Sequence, residues 1–433
     1  MPLDSDPGSE LRKTLSFWQV TISGIGIVIG AGIYVLIGPA TAEAGAAVWM
    51  AFVLAAVLAA LTGLSYAELA GMFPSAGAEY AFARSAFNEM SGFLVGWLMV
   101  SANVIAAAAV AIGFSHYARH FVDIDRQLIA PVLIILLTGI IAGGIQRSIW
   151  LTVGLVMLQV GGLVVVIVAG APHIGDVSLV EGATVSGIMG AAALVFFAFI
   201  GFDEIVTLSE ETHDAARTIP RALLTALAVS TSLYVLVAIA SVSVIGASAI
   251  AGSDTPLSLV IGHNWGDQAE DIVAFIALAS TTNTTLLVLT AASRLLYGMS
   301  RGGSLPGVLS TVTPVTRAPY VGAMFAGAAA MAFTLVGDLS RVAAVTDFAV
   351  YAIFIVMNAA LITLRYRMPE VPRTFVTPLS LSRVPILPVL GGLTAVVMMT
   401  QLEWQAWAIG AAVLISGLLM WVVLAESRDR VEF

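Results

Sequence analysis

No cysteine occurs in the 433 residues, which excludes a disulfide scaffold, a thiolate metal site and a thiol nucleophile. Charge is scarce: 10% of the residues are charged, against roughly 25% in soluble proteins. Lysine is nearly missing, since Lys13 stands alone among the 18 basic residues. No basic run exceeds a pair and 27 acids outnumber those 18 bases, so a basic surface for nucleic acid is absent. Neither HExxH nor GxSxG appears, and the neighbouring acids Asp203 and Glu204 would point about 100° apart on a helix instead of converging as a catalytic pair. An enzyme is not expected. The leader from Met1 to Ser9 is acidic, unlike the basic start of a cleavable signal peptide, which predicts that the amino terminus is retained.

What fills the chain instead is apolar. Hydrophobic residues make up 59% and the mean hydropathy is +0.99, the composition of a protein embedded in a lipid bilayer. Crossing roughly 30 Å of hydrocarbon takes about 20 apolar residues in a helix. Twelve segments qualify, near 16–38, 46–71, 92–118, 128–144, 149–171, 186–209, 222–246, 269–299, 319–337, 341–364, 385–402 and 405–424. Their runs are continuous and not alternating, which argues against a β-barrel. An even number of spans puts both termini on one side, and the distribution of arginine selects it. Arg12, Lys13, Arg84, Arg147, Arg217, Arg221, Arg294, Arg301, Arg317, Arg365, Arg367, Arg373, Arg383, Arg428 and Arg430 share that side, leaving Arg119, Arg126 and Arg341 opposite. The expectation is a multi-pass protein of the cytoplasmic membrane with both termini cytoplasmic. Asp123, Asp125, Asp176, Glu181, Asp254, Asp267, Glu270 and Asp271 fall in the outer loops.

Two spans break the pattern. The first contains GIGIVIGAGI, with Gly24, Gly26, Gly30 and Gly32, and each glycine weakens a helix by about 1 kcal/mol relative to alanine. The sixth carries FFAFIGFDE, where Gly201 precedes Asp203 and Glu204; acids inside an apolar span are costly and mark function by default. Each opens a block of five spans, and matched interruptions in two halves point to an inverted-repeat transporter with its site at the breaks. Plainer readings stay open. Gly26-xxx-Gly30 also suits close helix packing; Asp203 also suits a cap on the second half of the sixth helix. A dinucleotide loop is the poorer reading, because no strand or ribose-binding acid accompanies the glycines, and no cofactor is expected.

Four motifs now align in order: IGAGIYVLIGP in the first span, SYAELAGMFPSAGAEYAFAR after it, FFAFIGFD with SEETHDAARTIPRAL, and SRLLYGMSRGGSLP after the eighth. Together they resemble the amino acid–polyamine–organocation superfamily, nearest its basic and broad-specificity amino acid permeases. The resemblance implies an all-α, leucine-transporter-like fold. Ten core helices would form two inverted repeats, 15–171 and 186–364, with peripheral helices over 385–424 and short cytoplasmic tails over 1–14 and 425–433. It further implies that the substrate carboxylate meets the amides of Ala31 and Gly32, beside Gly30, while the ammonium meets carbonyls of Val28, Phe197 and Ile200, beside Gly201. The physics agrees: a half-helix amino terminus attracts an anion and unpaired carbonyls attract a cation.

The chain also departs from its relatives. Where proton-coupled members carry a fifth-span lysine, VMLQVGG has Gln159; where many carry a third-span glutamate, MVSAN has Ala102 and Asn103. Both expected charges are missing. Proton coupling by the usual route is thereby put in question, leaving exchange, facilitated transport or an altered ion site. Ser280, Thr281 and Thr282 open the run STTNTT in the eighth span. Their hydroxyls either ligate a hard cation or bond back to their own helix. The histidines lie at span ends or in loops, which is unsuited to a mid-membrane relay. Pro74, Gly77, Glu79, Tyr80 and Arg84 are expected in a short cytoplasmic helix at the inner gate, with Glu210, Glu211, Arg217 and Arg221 as charges that either pair there or stay solvated.

The function so predicted is secondary transport of an amino acid by alternating access, with gating or coupling assigned to Asp203, Gln159, Asn103, Ser280, Thr281 and Thr282. Rival readings are an exchanger of amino acids against decarboxylation products or polyamines, and an amino acid sensor without turnover. Phe199, Phe202 and Asn103 are placed at the pocket border. With no acid beyond Asp203 assigned there, the substrate leans neutral.

Overall fold

The computed structural model describes residues 15–72, 78–144, 149–373, 375–381 and 383–429. Sixteen α-helices follow in order: α1 (Phe17–Ile29), α2 (Gly32–Ala44), α3 (Val48–Met72), α4 (Ala78–Ala86), α5 (Glu89–Ala118), α6 (Arg126–Gly143), α7 (Ile149–Gly170), α8 (Val185–Val195), α9 (Glu204–Thr207), α10 (Ala215–Ala251), α11 (Pro256–Trp265), α12 (Asp267–Arg301), α13 (Tyr320–Thr334), α14 (Leu339–Arg367), α15 (Ile386–Thr400) and α16 (Trp404–Asp429). Among the described residues, nine helical stretches are long and apolar enough to cross a membrane. Shorter apolar helices are α1, α13 and α15. The chain is a mostly helical, multi-pass membrane protein; beside its helices the described residues hold a two-residue antiparallel pair, Ser380–Leu381 with Val384–Pro385.

Local sequence explains where the long helices start. Asn88, Asp125, Thr184 and Asp338 each cap a helix by accepting a backbone N–H through the side chain, at 2.8 Å from Ser91 and 3.0 Å from Gln127, Gly187 at 3.0 Å and Arg341 at 2.8 Å. Such caps satisfy amides that a helix start leaves unbonded. The helix α11 lies in the connection between the predicted seventh and eighth spans, where Pro256 occupies its first turn with a ring already set for helical φ.

Burial separates the bundle into core and rim. The most apolar stretches of α5 and α14 are 72% buried, whereas that of α16 is 11% buried. Arg84, Arg365, Arg367 and Arg373 gather at the end of the bundle where α5 starts, and Asp123, Asp254 and Asp338 line a cavity at the end where α5 closes, with Asp271 beside His120. At the arginine-rich end a buried ion pair ties α3 to α14. Arg365 grips Glu68 through two bonds of 2.9 and 2.6 Å, and the Thr377 amide donates to the same carboxylate at 2.7 Å. Next to it, Ser65 donates to Asn358 at 2.6 Å and Asn358 donates to Thr62 at 3.2 Å. These bonds line α3 and α14 up side by side beneath the site.

Candidate substrate and coupling site

The first predicted span is two half-helices. α1 stops at Ile29, Gly30 takes φ 8° and ψ −151°, and α2 starts at Gly32. Each half has 13 residues, about 20 Å at 1.5 Å per residue, too short to cross alone. The break leaves the first amides of α2 without a preceding turn to receive them. The sixth span is broken likewise. After α8 comes a 3-10 turn over Phe196–Phe199, then Ile200 at ψ 135° and Gly201 at φ 109°, before α9. A side chain at Gly201 would be strained by that φ and would press on Ile27, whose Cγ2 lies 2.8 Å from the position a β-carbon would take.

The two breaks touch. A β-carbon on Gly32 would run into the backbone of Ala198, and one hydroxyl joins both breaks: Tyr234 of α10 donates to Val28 at 2.7 Å and to Ala198 at 3.0 Å. Of the predicted carbonyls, that of Val28 is thus met by Tyr234, and that of Phe197 accepts the Ile200 amide at 3.3 Å. Ala198 and Tyr234 were not singled out from sequence. A tyrosine in an apolar span carries no signal of its own, and its partners stand 206 and 36 residues away. Ala31 and Gly32 are buried beside the break, and Gly30 and Ile200 remain partly exposed.

Asp203 does not cap α9 through its side chain, in contrast to the capping role considered for it. Its carboxylate turns back to accept the Gly201 amide at 3.1 Å, bracing the break. It also hydrogen-bonds the carboxyl of Glu79 on α4. Two carboxyls can do so only with a proton between them. Burial, followed by the nearby Asp203, pushes Glu79 up to about 8. The Tyr66 hydroxyl, within electrostatic reach of both acids, is buried without a hydrogen-bond partner. Glu204 stands next to Asp203 and within reach of Arg294. The rings of Tyr66, Phe202 and Phe354 pack at centroid distances of 5.4 to 6.1 Å, so Phe202 and the fully buried Phe199 belong to packed aromatic layers.

The eighth-span hydroxyls separate. Ser280 donates to the Gly30 carbonyl at 3.1 Å. Thr281 and Thr282 bond back to α12 itself, at Ala277 and Leu278. Thr284, which the sequence reading did not single out individually, has a buried hydroxyl without a partner beside Gly30. Asn103 is also spent on its own helix, donating to Met99 at 2.9 Å. Gln159 is 1% exposed and neither end of its amide is bonded, while its backbone carbonyl accepts from Tyr34 at 2.8 Å. Tyr117 donates to the Tyr34 carbonyl at 2.8 Å. Toward the acidic end lies a cavity of about 840 Å³ lined by Val35, Ile112, His116, Asp254, Leu339 and Ser340 among others.

Of the predicted gate residues, Pro74 and Gly77 lie outside the described residues, as do tail residues 1–14 and 430–433 and the side chains of Glu210 and Glu211. Arg84 pairs with Glu89 at 2.6 Å and Arg217 with Asp214 at 3.9 Å. The sequence reading also passed over an acid elsewhere in the bundle, on α14. Asp347 is fully buried in α14 with both oxygens unbonded; an acid inside an apolar span was the available signal.

Broken helices meeting inside an apolar bundle define a membrane transporter architecture. The comparison with known sequences agrees: residues 15–425 match the amino acid permease family, and the chain belongs to that family, within the amino acid–polyamine–organocation superfamily. It is a permease and not an enzyme. Among its relatives are the branched-chain amino acid permease BcaP of Bacillus subtilis, 30% identical over 97% of this chain and 94% of that protein, and an uncharacterized transporter of Mycobacterium tuberculosis, 32% identical over 95% and 92%. The methylthioribose transporter of Bacillus subtilis is 29% identical over 92% and 90%.

Proposed function

We propose that this permease moves amino acids across the cytoplasmic membrane by alternating access. The arrangement is leucine-transporter-like: twelve spans, inverted repeats over 15–171 and 186–364, a peripheral pair over 385–424, and both termini on the arginine-rich, cytoplasmic side. The observation that carries the reading is the meeting of the two breaks. Free first-turn amides of α2 suit a carboxylate, and the carbonyls gathered around Val28 and Ala198 suit an ammonium, so a zwitterion is matched at both ends. Apolar surroundings, including Ile29, Phe196 and Phe197, favour a neutral side chain. The relatives' names support amino acids as the substrate class.

Coupling is proton-linked or by exchange, without a fifth-span carrier, since an amide such as Gln159 cannot titrate. Sodium is disfavoured: among the described residues no carboxylate stands with the hydroxyls of Ser280, Thr281 and Thr282 to neutralise a cation. The test is uptake of a panel of labelled amino acids into liposomes holding the purified protein, with and without sodium and a pH gradient. Accumulation that follows the pH gradient, or counterflow without any gradient, is expected. Strictly sodium-dependent uptake would overturn the coupling, and no uptake or counterflow of any amino acid would overturn the function.

A further inference from the structure

α14 carries an acid that the substrate site does not use. Asp347 has no exposed surface, and neither of its carboxylate oxygens accepts a hydrogen bond. Every residue of α14 from 342 to 351 is buried, so the carboxyl is enclosed on all sides. Leaving a bare carboxylate in such a shell costs several kcal/mol, whereas the neutral acid is tolerated far better. Among the described residues, no partner that would neutralise it is at hand.

Around α14 pack α3, α4, α5, α8, α15, α16, the Phe196–Phe199 turn and the short strand Val384–Pro385, which carries no titratable residue. α8, α15, that turn and α16 from Trp404 to Leu424 contain no titratable residue. Glu68, Glu79, Tyr80, Arg84 and Glu89 belong to the arginine-rich end, as does Arg365 of α14 itself, 18 residues on and hence about 27 Å away; Tyr66 sits with Phe354, two turns beyond Asp347. His116 and Tyr117 end α5 at the other side, where the charged neighbours of His116 are Asp254, Arg126, Arg119 and Asp338. On α14, Arg341 lies six residues earlier on a different face. Tyr351 follows one turn later, but its hydroxyl is given to Ala193 of α8 at 2.8 Å.

Position supplies a route for a proton. Asp347 lies two turns below Ser340 on one face of α14, and Ser340 lines the acidic-end cavity. One turn deeper, the bond from Tyr351 to Ala193 anchors α14 to α8, the half-helix that leads into the second break. Movement of α8 away from α14 would extend the cavity down to the acid. Return of α8 would seal it.

We propose that Asp347 is a proton-binding site: it exchanges its proton with water of the acidic-end cavity when α8 parts from α14 and holds it as a neutral acid while enclosed. This rests on the transport reading and gives its proton link a carrier distinct from the broken helices. With one proton per substrate, a gradient of one pH unit supports about a tenfold accumulation.

The experiment compares the full-length protein with Asp347→Asn, which keeps the shape and cannot titrate, and Asp347→Glu, which can. In liposomes Asp347→Asn should lose the accumulation driven by external acid yet exchange labelled for unlabelled amino acid within about threefold of the parent rate, and Asp347→Glu should regain part of the accumulation. In infrared difference spectra, the parent should show at neutral pH a neutral-acid carbonyl band that Asp347→Asn lacks. Undiminished acid-driven accumulation in Asp347→Asn, loss of exchange together with accumulation in a folded Asp347→Asn, or absence of the band would each overturn the proposal. The infrared band needs no turnover, so a parent protein that transports nothing would sink the transport reading while the band still decided whether Asp347 holds a proton.

Discussion

Placing a methyl group on Gly32 is the sharpest perturbation of the site. In Gly32→Ala the new carbon would stand 2.6 Å from the Ala198 β-carbon and 3.2 Å from the Ala198 amide nitrogen, where an ordinary contact needs about 3.5 to 4 Å. Backbone, not a flexible side-chain tip, is what it meets, so the two breaks must part by about 1 Å. Overpacking of this kind costs about 1–3 kcal/mol. If the zwitterion is held between the breaks, parting them displaces the amides from the carboxylate, and the same free energy lost from binding is a weakening of about 5- to 150-fold. Gly32→Val should do worse. The assay is equilibrium binding of labelled amino acid to monodisperse, detergent-solubilised protein, with Gly161→Ala as control because a β-carbon there meets nothing within 4 Å. A folded Gly32→Ala protein that binds with parental affinity would refute the assignment of the carboxylate to Ala31 and Gly32.

Three further outcomes are expected. Glu68→Gln leaves Arg365, itself 7% exposed, without its buried counter-charge, which should cost about 3–5 kcal/mol; thermal unfolding of the solubilised protein checks it, and an unchanged midpoint would contradict the role of the pair. Because Glu79 is raised from 4.5 to about 8, its contact with Asp203 should be fully held below about 4.5 and be lost as pH rises through about 8; paired spin labels on cysteines introduced into α4 and α10, in a chain with no cysteine of its own, should report a distance that widens with pH in the parent and stays constant in Glu79→Gln. Asp203→Asn keeps an oxygen for the Gly201 amide, so its stability should fall by less than about 1 kcal/mol, while transport falls and its pH profile flattens. Normal transport across that pH range would reduce Asp203 to a brace of the backbone.

Composition determined that this chain lives in a membrane, and the continuity of its apolar runs that it is helical, because hydrocarbon admits only helices and closed barrels and a barrel's strands would alternate. The places where helices fail were also legible: four glycines in the first span, and an acid pair directly after Gly201 in the sixth, are local departures that no neighbour has to explain. Family membership followed from short motifs in order. What the sequence left undecided concerns partners. Ser280 and Thr282 read alike in STTNTT, yet one reaches Gly30 across the helix interface and the other bonds to Leu278, because two residues turn a helical side chain by about 200°. Tyr234 looks like any aromatic in an apolar run, and only the crossing of α10 with both breaks gives its hydroxyl two carbonyls. Asp203 could be read as a cap until the fold placed Glu79 against it. Local free-energy terms write spans and breaks into the chain one segment at a time, but which buried polar groups meet, and which, like Asp347 and Gln159, meet none, is settled only when helices distant in sequence pack together.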